Sequence, residues 1–270
     1  PRGNFHATLL LHPKEPAAQV ALRSFAAALA LRDALVGLTE LPQAFSLKWP
    51  NDVLLNGGKL AGILLESTAS GAGVAHLAIG TGVNLIAAPD ASLVEEGALR
   101  PVSLLGETGL RVEPELFLTH LAAAYALWAD TFTTQGFAPL RAAWLAHAAR
   151  LGQSIRARTG HTTHHGIFET IDTSGALILR TEQDTIAIPA AEVWGLIDSI
   201  KGMFGKDVEE LVGDRGADVE RRVQDGDVEA LAAPELAVVT LRVWGTCDGC
   251  ARRITPGDRI SRRAGGYTIC

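Results

Sequence analysis

Residues 46–66 read SLKWPNDVLLNGGKLAGILLE, and the reading of this stretch decides the fold. A polar knot, Lys48-Trp49-Pro50-Asn51-Asp52, precedes a lysine, Lys59. That lysine follows Gly57-Gly58 and opens the apolar run Leu60-Ala61-Gly62-Ile63-Leu64-Leu65. The pattern predicts a hairpin: residues 52–56 extended, Asn56-Gly57-Gly58 as the reversal, residues 59–66 as the return strand. Ile and Leu pack well on a pleated surface, so the return strand is expected to be buried. A lysine at the mouth of a buried strand needs an anion nearby or loses its charge. Gly62 leaves room for a group to approach the backbone closely. Taken alone, an Asn-Gly-Gly turn followed by a lysine is most often a solvated hairpin end. The complete string carries more.

KWPND followed by GKLAGILLE resembles the central motif of biotin protein ligases. In that family the lysine of GKLAGIL contacts both biotin and the α-phosphate of ATP. The resemblance implies that Lys59 is the catalytic cation, with Gly62, Asn51 and Asp52 beside biotin and its adenylate. Asn51 and Asp52 are expected to order the loop and to face the phosphates or an incoming lysine. A structural reading stands beside this one, in which Lys48 and Asp52 form an ion pair that braces the Trp49-Pro50 bend.

Downstream, a strand over residues 74–79 leads into Gly80-Thr81-Gly82-Val83-Asn84-Leu85. Gly-x-Gly after a strand lets backbone N–H groups approach a nucleotide. By itself it is usually a turn, and no third glycine opens a helix as a dinucleotide fingerprint requires. It matches the family's G-x-G-x-N segment, which lines the adenine pocket. The resemblance thus puts Gly80, Gly82, Val83 and Asn84 on ATP. The enzyme reading requires the Lys59 ammonium to lie near residues 80–84 and not in bulk solvent.

Around this centre, residues 4–12 read as a strand and residues 17–37 as an amphipathic helix. The words PRGNF and, later, SLLGETG also resemble the ligases. Residues 113–134 and 137–151 read as two helices. On the first, Pro114 suits the opening turn, and Leu116, Phe117, His120, Leu121, Ala124, Leu127 and Trp128 form the expected buried stripe. His120 reads as a satisfied core histidine. From Gly152 the period changes to alternation, with strands over 154–158, 164–171, 176–180 and 185–188. This fits the SH3-like C-terminal domain of the ligases. His161, His164 and His165 sit across a turn with no carboxylate or thiol at ligand spacing, so they do not read as a metal site.

The expected fold is α+β: a mixed β-sheet with flanking helices, like class II synthetases and the biotin–lipoate ligases, then a small SH3-like β-barrel and a short C-terminal tail. The expected domains are a ligase catalytic domain over 1–150 and the SH3-like domain over 151–195. A charged, helical or disordered linker over 196–240 and a zinc-finger fragment over 241–270 follow.

Composition agrees. The chain has 270 residues, 47% hydrophobic and 20% charged, with a net charge of −6. This suits one good core plus a smaller domain and gives no support for DNA binding by the chain as a whole. No apolar run approaches the ~20 residues that span a bilayer. The 3 cysteines all fall in residues 247–270, which argues against a disulfide framework and fits a reducing cytoplasm. Cys247-x-x-Cys250 with Cys270 has the spacing of a zinc ribbon that stops before a fourth ligand, and its wording loosely resembles DksA/TraR-type zinc fingers. A redox pair and incidental cysteines are the alternatives. The chain starts at Pro1 without methionine and stops at Cys270, so it reads as a fragment cut at both ends.

The family's chemistry has two steps: biotin and ATP give biotinyl-5′-AMP and pyrophosphate, and a lysine of a biotin carboxyl-carrier protein then takes the biotinyl group. ATP, Mg²⁺ and biotin are therefore the expected small molecules, with Zn²⁺ for the tail, and a homodimer is left open. The Gly- and Arg-rich loop that closes over biotin in the family lies upstream of Pro1, so weak turnover or none is expected. Two other readings stand: a lipoate or octanoyl transferase of the same fold, and a non-enzymatic zinc-binding module with a vestigial ligase part.

Overall fold

The computed structural model describes residues 3–70, 73–90, 98–159 and 162–190, with three short strands at Val238–Leu241, Ile260–Arg263 and Gly266–Ile269. The larger unit is built on a sheet of β1 (Phe5–Leu11), β2 (Phe45–Lys48), β3 (Asp52–Leu55), β4 (Gly58–Ser70) and β5 (Gly73–Val83). They lie in the order β1-β5-β4-β3-β2, and Val238–Leu241 pairs along the outer edge of β1. Every ladder is antiparallel. This corrects the expected mixed sheet: among the described residues, parallel pairing is confined to two isolated bridges, Leu47 to Ala148 and Lys59 to Pro101. Three of the pairs, β2–β3, β3–β4 and β4–β5, join consecutive strands, and short connections force them antiparallel.

The central hairpin forms as the sequence predicts, with a tighter turn. Asn56 and Gly57 both take positive φ, 50° and 78°, and Gly58 already pairs with Leu55. That is the backbone of a two-residue hairpin turn, for which Asn-Gly is the preferred pair. Gly58 is glycine for a different reason. A Cβ there would lie 2.3 Å from Val102 Cγ1 and 3.0 Å from the Arg100 carbonyl.

Among the described residues five helices accompany the sheet: α1 (Ala17–Val20), α2 (Arg23–Thr39), α3 (Leu104–Thr108), α4 (Pro114–Gln135) and α5 (Phe137–Ala146). The single helix expected over 17–37 is broken at Ala21-Leu22, where short turn bonds such as Leu22 N to Gln19 O replace the α-helical pattern. α2 is buried at nearly every position from Arg23 to Leu35. A helix covered on all sides is apolar on all sides, so its amphipathic signal is faint. Phe25 packs edge-to-face on Phe137 and Trp144, at 5.0 and 5.6 Å between ring centroids.

The expected stripe on α4 needs correction. Phe117 is buried, but Leu116 and Leu127 are 50% and 72% exposed, and Tyr125 and Phe132 take the core positions. The spacing 117–125–132 presents one narrow face inward, and residues 116 and 127 fall outside it. His120 is half-buried beside Gly37, in keeping with a packed histidine. α5 ends at Ala146, short of the expected 151. The chain then turns to β2, where Leu47 N bonds to His147 O and Ala149 N to Leu47 O.

The smaller unit is a sheet of β6 (Ser154–Thr159), β7 (Thr162–Ile171), β8 (Leu177–Arg180) and β9 (Thr185–Ile188), antiparallel in sequence order. Phe168, Ile171, Leu177, Leu179 and Ile188 fill its inner face. These are the four strands read from the alternating pattern, in an SH3-like domain. Beyond it, the Val238–Leu241 strand is β10, and β11 (Ile260–Arg263) and β12 (Gly266–Ile269) form a hairpin. Cys247, Cys250 and Cys270 lie outside the described residues, as does His161 and most of the expected linker. Among the described residues, no group of His, Cys, Asp and Glu could hold a metal ion, His164 and His165 included. No helix among them is long and apolar enough to cross a membrane.

Candidate functional site: a lysine over a glycine floor

The site lies on the sheet face opposite the helices. Register places Asp52 of β3 beside Gly62 of β4, Gly62 beside Gly82 of β5, and Gly82 beside His6 of β1. Directly opposed residues share a face. A carboxylate and an imidazole thus stand at the two ends of a row whose middle two positions have no side chain. Gly80, two residues back on β5, extends the bare floor. With strands ~4.8 Å apart, the row spans roughly 14 Å from Asp52 to His6.

These glycines are not there to relieve strain. None of the three has a positive φ. A Cβ would meet nothing nearer than 3.7 Å at Gly62, 3.6 Å at Gly80 and 3.5 Å at Gly82. The fold has room for a methyl group at each position. What glycine preserves is open space above the sheet.

Lys59 reaches this face through an irregularity. Leu54 pairs with Lys59 but Val53 pairs with Ala61, so Leu60 is an extra residue in β4. Strict alternation would set Lys59 on the same face as the buried Ala61 and Ile63, under the helices. The bulge re-aims it to the open side. Its backbone is held on the other edge by the segment around Pro101: Lys59 N bonds to Arg100 O at 2.8 Å and Val102 N to Lys59 O at 3.0 Å. The Lys59 ammonium then lies 3.7 Å from where a Gly62 Cβ would be. It stands over Gly62, whose cross-strand partner on β5 is Gly82.

Asp52 fixes the ammonium in place. Its Oδ1 is 2.6 Å from Lys59 Nζ and its Oδ2 is 2.9 Å from Lys48 Nζ. The Asp52 side chain is 7% exposed, the two lysines 47% and 44%. Burial alone pushes the carboxyl up. The Lys48 and Lys59 charges more than offset it and hold Asp52 below the ordinary aspartate range. The Lys48–Asp52 brace and the functional cluster are therefore one arrangement. One anion serves two cations, so the cluster is net positive and open to an anionic ligand.

The other expected residues divide by face. Asn51 donates from Nδ2 to the Ile63 carbonyl at 2.6 Å, and Ile63 N returns a bond to Asn51 O at 3.0 Å. It ties the KWPND turn to β4. Gly80-Thr81-Gly82 corrects the expectation of a loop with free N–H groups: it is continuous strand, paired to β1 on one side and β4 on the other. Its contribution is the missing side chains. Thr81 and Val83 alternate to the helix face and are buried in the core. Asn84 holds the end of the floor together, accepting from Asn4 Nδ2 at 3.3 Å and donating to Val102 O at 3.1 Å. His6 escaped the sequence reading, because a histidine in an ordinary apolar strand carries no motif. Only the register against Gly82 reveals it. Burial lowers its pKa from the usual histidine value.

A half-exposed ammonium, pinned beside a row of glycines in a cluster of net positive charge, is an arrangement able to receive and polarise an acidic group. Comparison with known proteins gives that arrangement its family. Residues 1–84 match the biotin/lipoate A/B protein ligase family, and residues 151–194 match the biotin protein ligase C-terminal domain. The biotin–[acetyl-CoA-carboxylase] ligase of Paracoccus denitrificans is 60% identical over 195 residues, which cover 72% of this chain and 81% of that protein. The bifunctional ligase/repressor BirA of Bacillus subtilis is 31% identical over 147 residues, and there the match spans only 45% of the relative. Among solved structures, the biotin protein ligase of Aquifex aeolicus in complex with biotin and ATP aligns with a TM-score of 0.57 at 26% identity, covering 70% of this chain and 77% of that one. The chain belongs to the biotin protein ligase family.

Proposed function

We propose that this chain joins biotin to ATP, giving biotinyl-5′-AMP and pyrophosphate, and passes the biotinyl group to a lysine of a carboxyl-carrier protein in the cytoplasm. The observation that carries the proposal is the Lys59 ammonium, held by Asp52 at 2.6 Å over the Gly62–Gly82 floor. In the first step the biotin carboxylate attacks the α-phosphorus and pyrophosphate leaves. In the second, the acceptor amine attacks the acyl carbon, loses a proton, and expels AMP. Both steps gather negative charge on the bridge between carboxyl and phosphate. Lys59 supplies a fixed cation there without reorganising, which is the efficient form of electrostatic catalysis. Lys48 keeps the cluster net positive, so Asp52 orients Lys59 without cancelling its charge.

Among the described residues Mg²⁺ has no protein cage. Asp52 is the carboxylate nearest Lys59, and both its oxygens are taken by ammonium groups. The cation therefore belongs with the triphosphate, as part of the substrate. Biotin is favoured over lipoate because the SH3-like unit matches the biotin protein ligase C-terminal domain. Incubation with biotin and ATP·Mg should release pyrophosphate and accumulate biotinyl-5′-AMP. Equal or greater release with lipoate or octanoate would reverse the choice of acid.

The open floor gives a separate prediction. Gly82→Ala adds a methyl at ordinary contact distance, 3.5 Å from His6 Nδ1. The melting temperature is expected to hold or rise, since alanine loses less chain entropy than glycine. Ligand binding should weaken about tenfold, the cost of overfilling a fitted space by one methyl. Calorimetric titration beside a thermal melt checks both halves.

A further inference from the structure

Trp49 reaches out of the catalytic domain. Its indole Nε1–H donates to the Gly175 carbonyl at 3.1 Å, in a buried contact 126 residues apart in sequence. Gly175 closes the turn between β7 and β8 with φ +84°. Asp172 shapes that turn, its Oδ1 accepting from Ser174 N at 2.8 Å, Ser174 Oγ at 2.7 Å and Ala176 N at 2.9 Å. The turn is seated against α2. A Cβ at Gly175 would lie 2.8 Å from Leu22 Cδ2 and 3.0 Å from Phe25 Cε2. The carbonyl that receives the indole is therefore held by its own turn and by the catalytic domain together.

Trp49 is flanked by the residues that make the site. Lys48 on one side pairs with Asp52 at 2.9 Å, and Asn51 on the other is bonded to Ile63 of β4. A shift of the indole moves Lys48 and Asp52, and through Asp52 it moves Lys59. We infer that the 172–175 turn of the C-terminal domain is a positioning element for the Lys48–Asp52–Lys59 cluster, acting through Trp49. The domain has other anchors: Arg141 donates to the Ile171 carbonyl and, at 3.0 Å, to Thr170 Oγ1. Docking as such does not depend on the indole, so positioning and folding are separable.

The consequence for turnover rests on the proposed ligase activity; the positioning itself does not. The test is trace competitive labelling of amines with acetic anhydride on the full chain, with exposed Lys14 as internal reference. Trp49→Phe keeps the ring and removes the hydrogen bond. Asp172→Ala unshapes the turn, and Asp172→Asn keeps the acceptor that shapes it. Loosening Asp52 from Lys59 frees the amine to meet the reagent, so Lys59 should label about three- to tenfold faster in Trp49→Phe and Asp172→Ala. Asp172→Asn should label like the parent, and all three melts should stay close to it. Where turnover is measured, kcat falls and KM for biotin holds. Unchanged Lys59 labelling in Trp49→Phe overturns the inference. Should that variant fail to fold, the Asp172→Ala and Asp172→Asn pair decides the question by the same readout: equal Lys59 labelling in the two overturns it. A parent chain that binds neither biotin nor ATP in calorimetric titration refutes the ligase reading, and Lys59 labelling still decides the positioning.

Discussion

Lys59→Met should lower biotinyl-adenylate formation about 10²–10³-fold, the usual cost of removing one preorganised group that stabilises transition-state charge. The fold should barely register the change. Lys59 is 47% exposed and its backbone is held independently by Arg100 and Val102. Asp52 keeps Lys48 at 2.9 Å. For a half-exposed pair the expected stability loss is below ~1 kcal/mol. Lys59→Arg retains the charge, but a rigid fork replaces a compact ammonium at the 2.6 Å contact. It should recover part of the rate and remain roughly tenfold below the parent. A pyrophosphate-release assay with a parallel melt separates the two effects. A Lys59→Met chain with parental adenylation would remove the proposed mechanism.

Asp52→Asn should damage both stability and activity. It leaves the Lys48 and Lys59 ammonium groups converging on a neutral amide. Breaking a fully buried ion pair costs ~3–5 kcal/mol. The two lysines are nearly half exposed, and screening brings the expected loss to about 1–3 kcal/mol. Adenylation should fall roughly 10²-fold, the penalty for a reacting group misplaced by about 1 Å.

The pH dependence has a definite sign. Asp52 titrates below its unfolded value, so its contribution is fully present above the ordinary aspartate pKa of about 3.9 and is lost as pH falls through the lower folded value. In urea titrations the gap between parent and Asp52→Asn should be full at pH 6 and should close in strong acid. A gap that widened on acidification would contradict the two-cation environment.

The hairpin was legible in the sequence because its signals are local. Asn56-Gly57 demands a particular turn, and apolar residues on either side demand burial. The SH3-like strands were legible for the same reason. Lys59, Gly62 and Asp52 were legible as a motif. α2 was harder: helical spacing persisted, but burial on every side erased the amphipathic contrast that marks a helix's ends and face. Leu116 and Leu127 misled because helical period alone does not say how wide a face the neighbouring elements cover.

By itself the sequence determined the strand–turn–strand centre, the switch from helices to alternating strands at Gly152, and the residue types of the site. The tertiary structure alone decided their placement. One bulge residue, Leu60, puts Lys59 on the open face; sheet register turns Gly62 and Gly82 into a floor and brings His6 to its end; and a buried indole ties that site to a turn 126 residues away. The physical reason is that side-chain direction in a sheet has a period of two, so a single inserted residue reverses it. Which residues then meet across strands depends on pairings between segments far apart in the chain, and no local pattern records those.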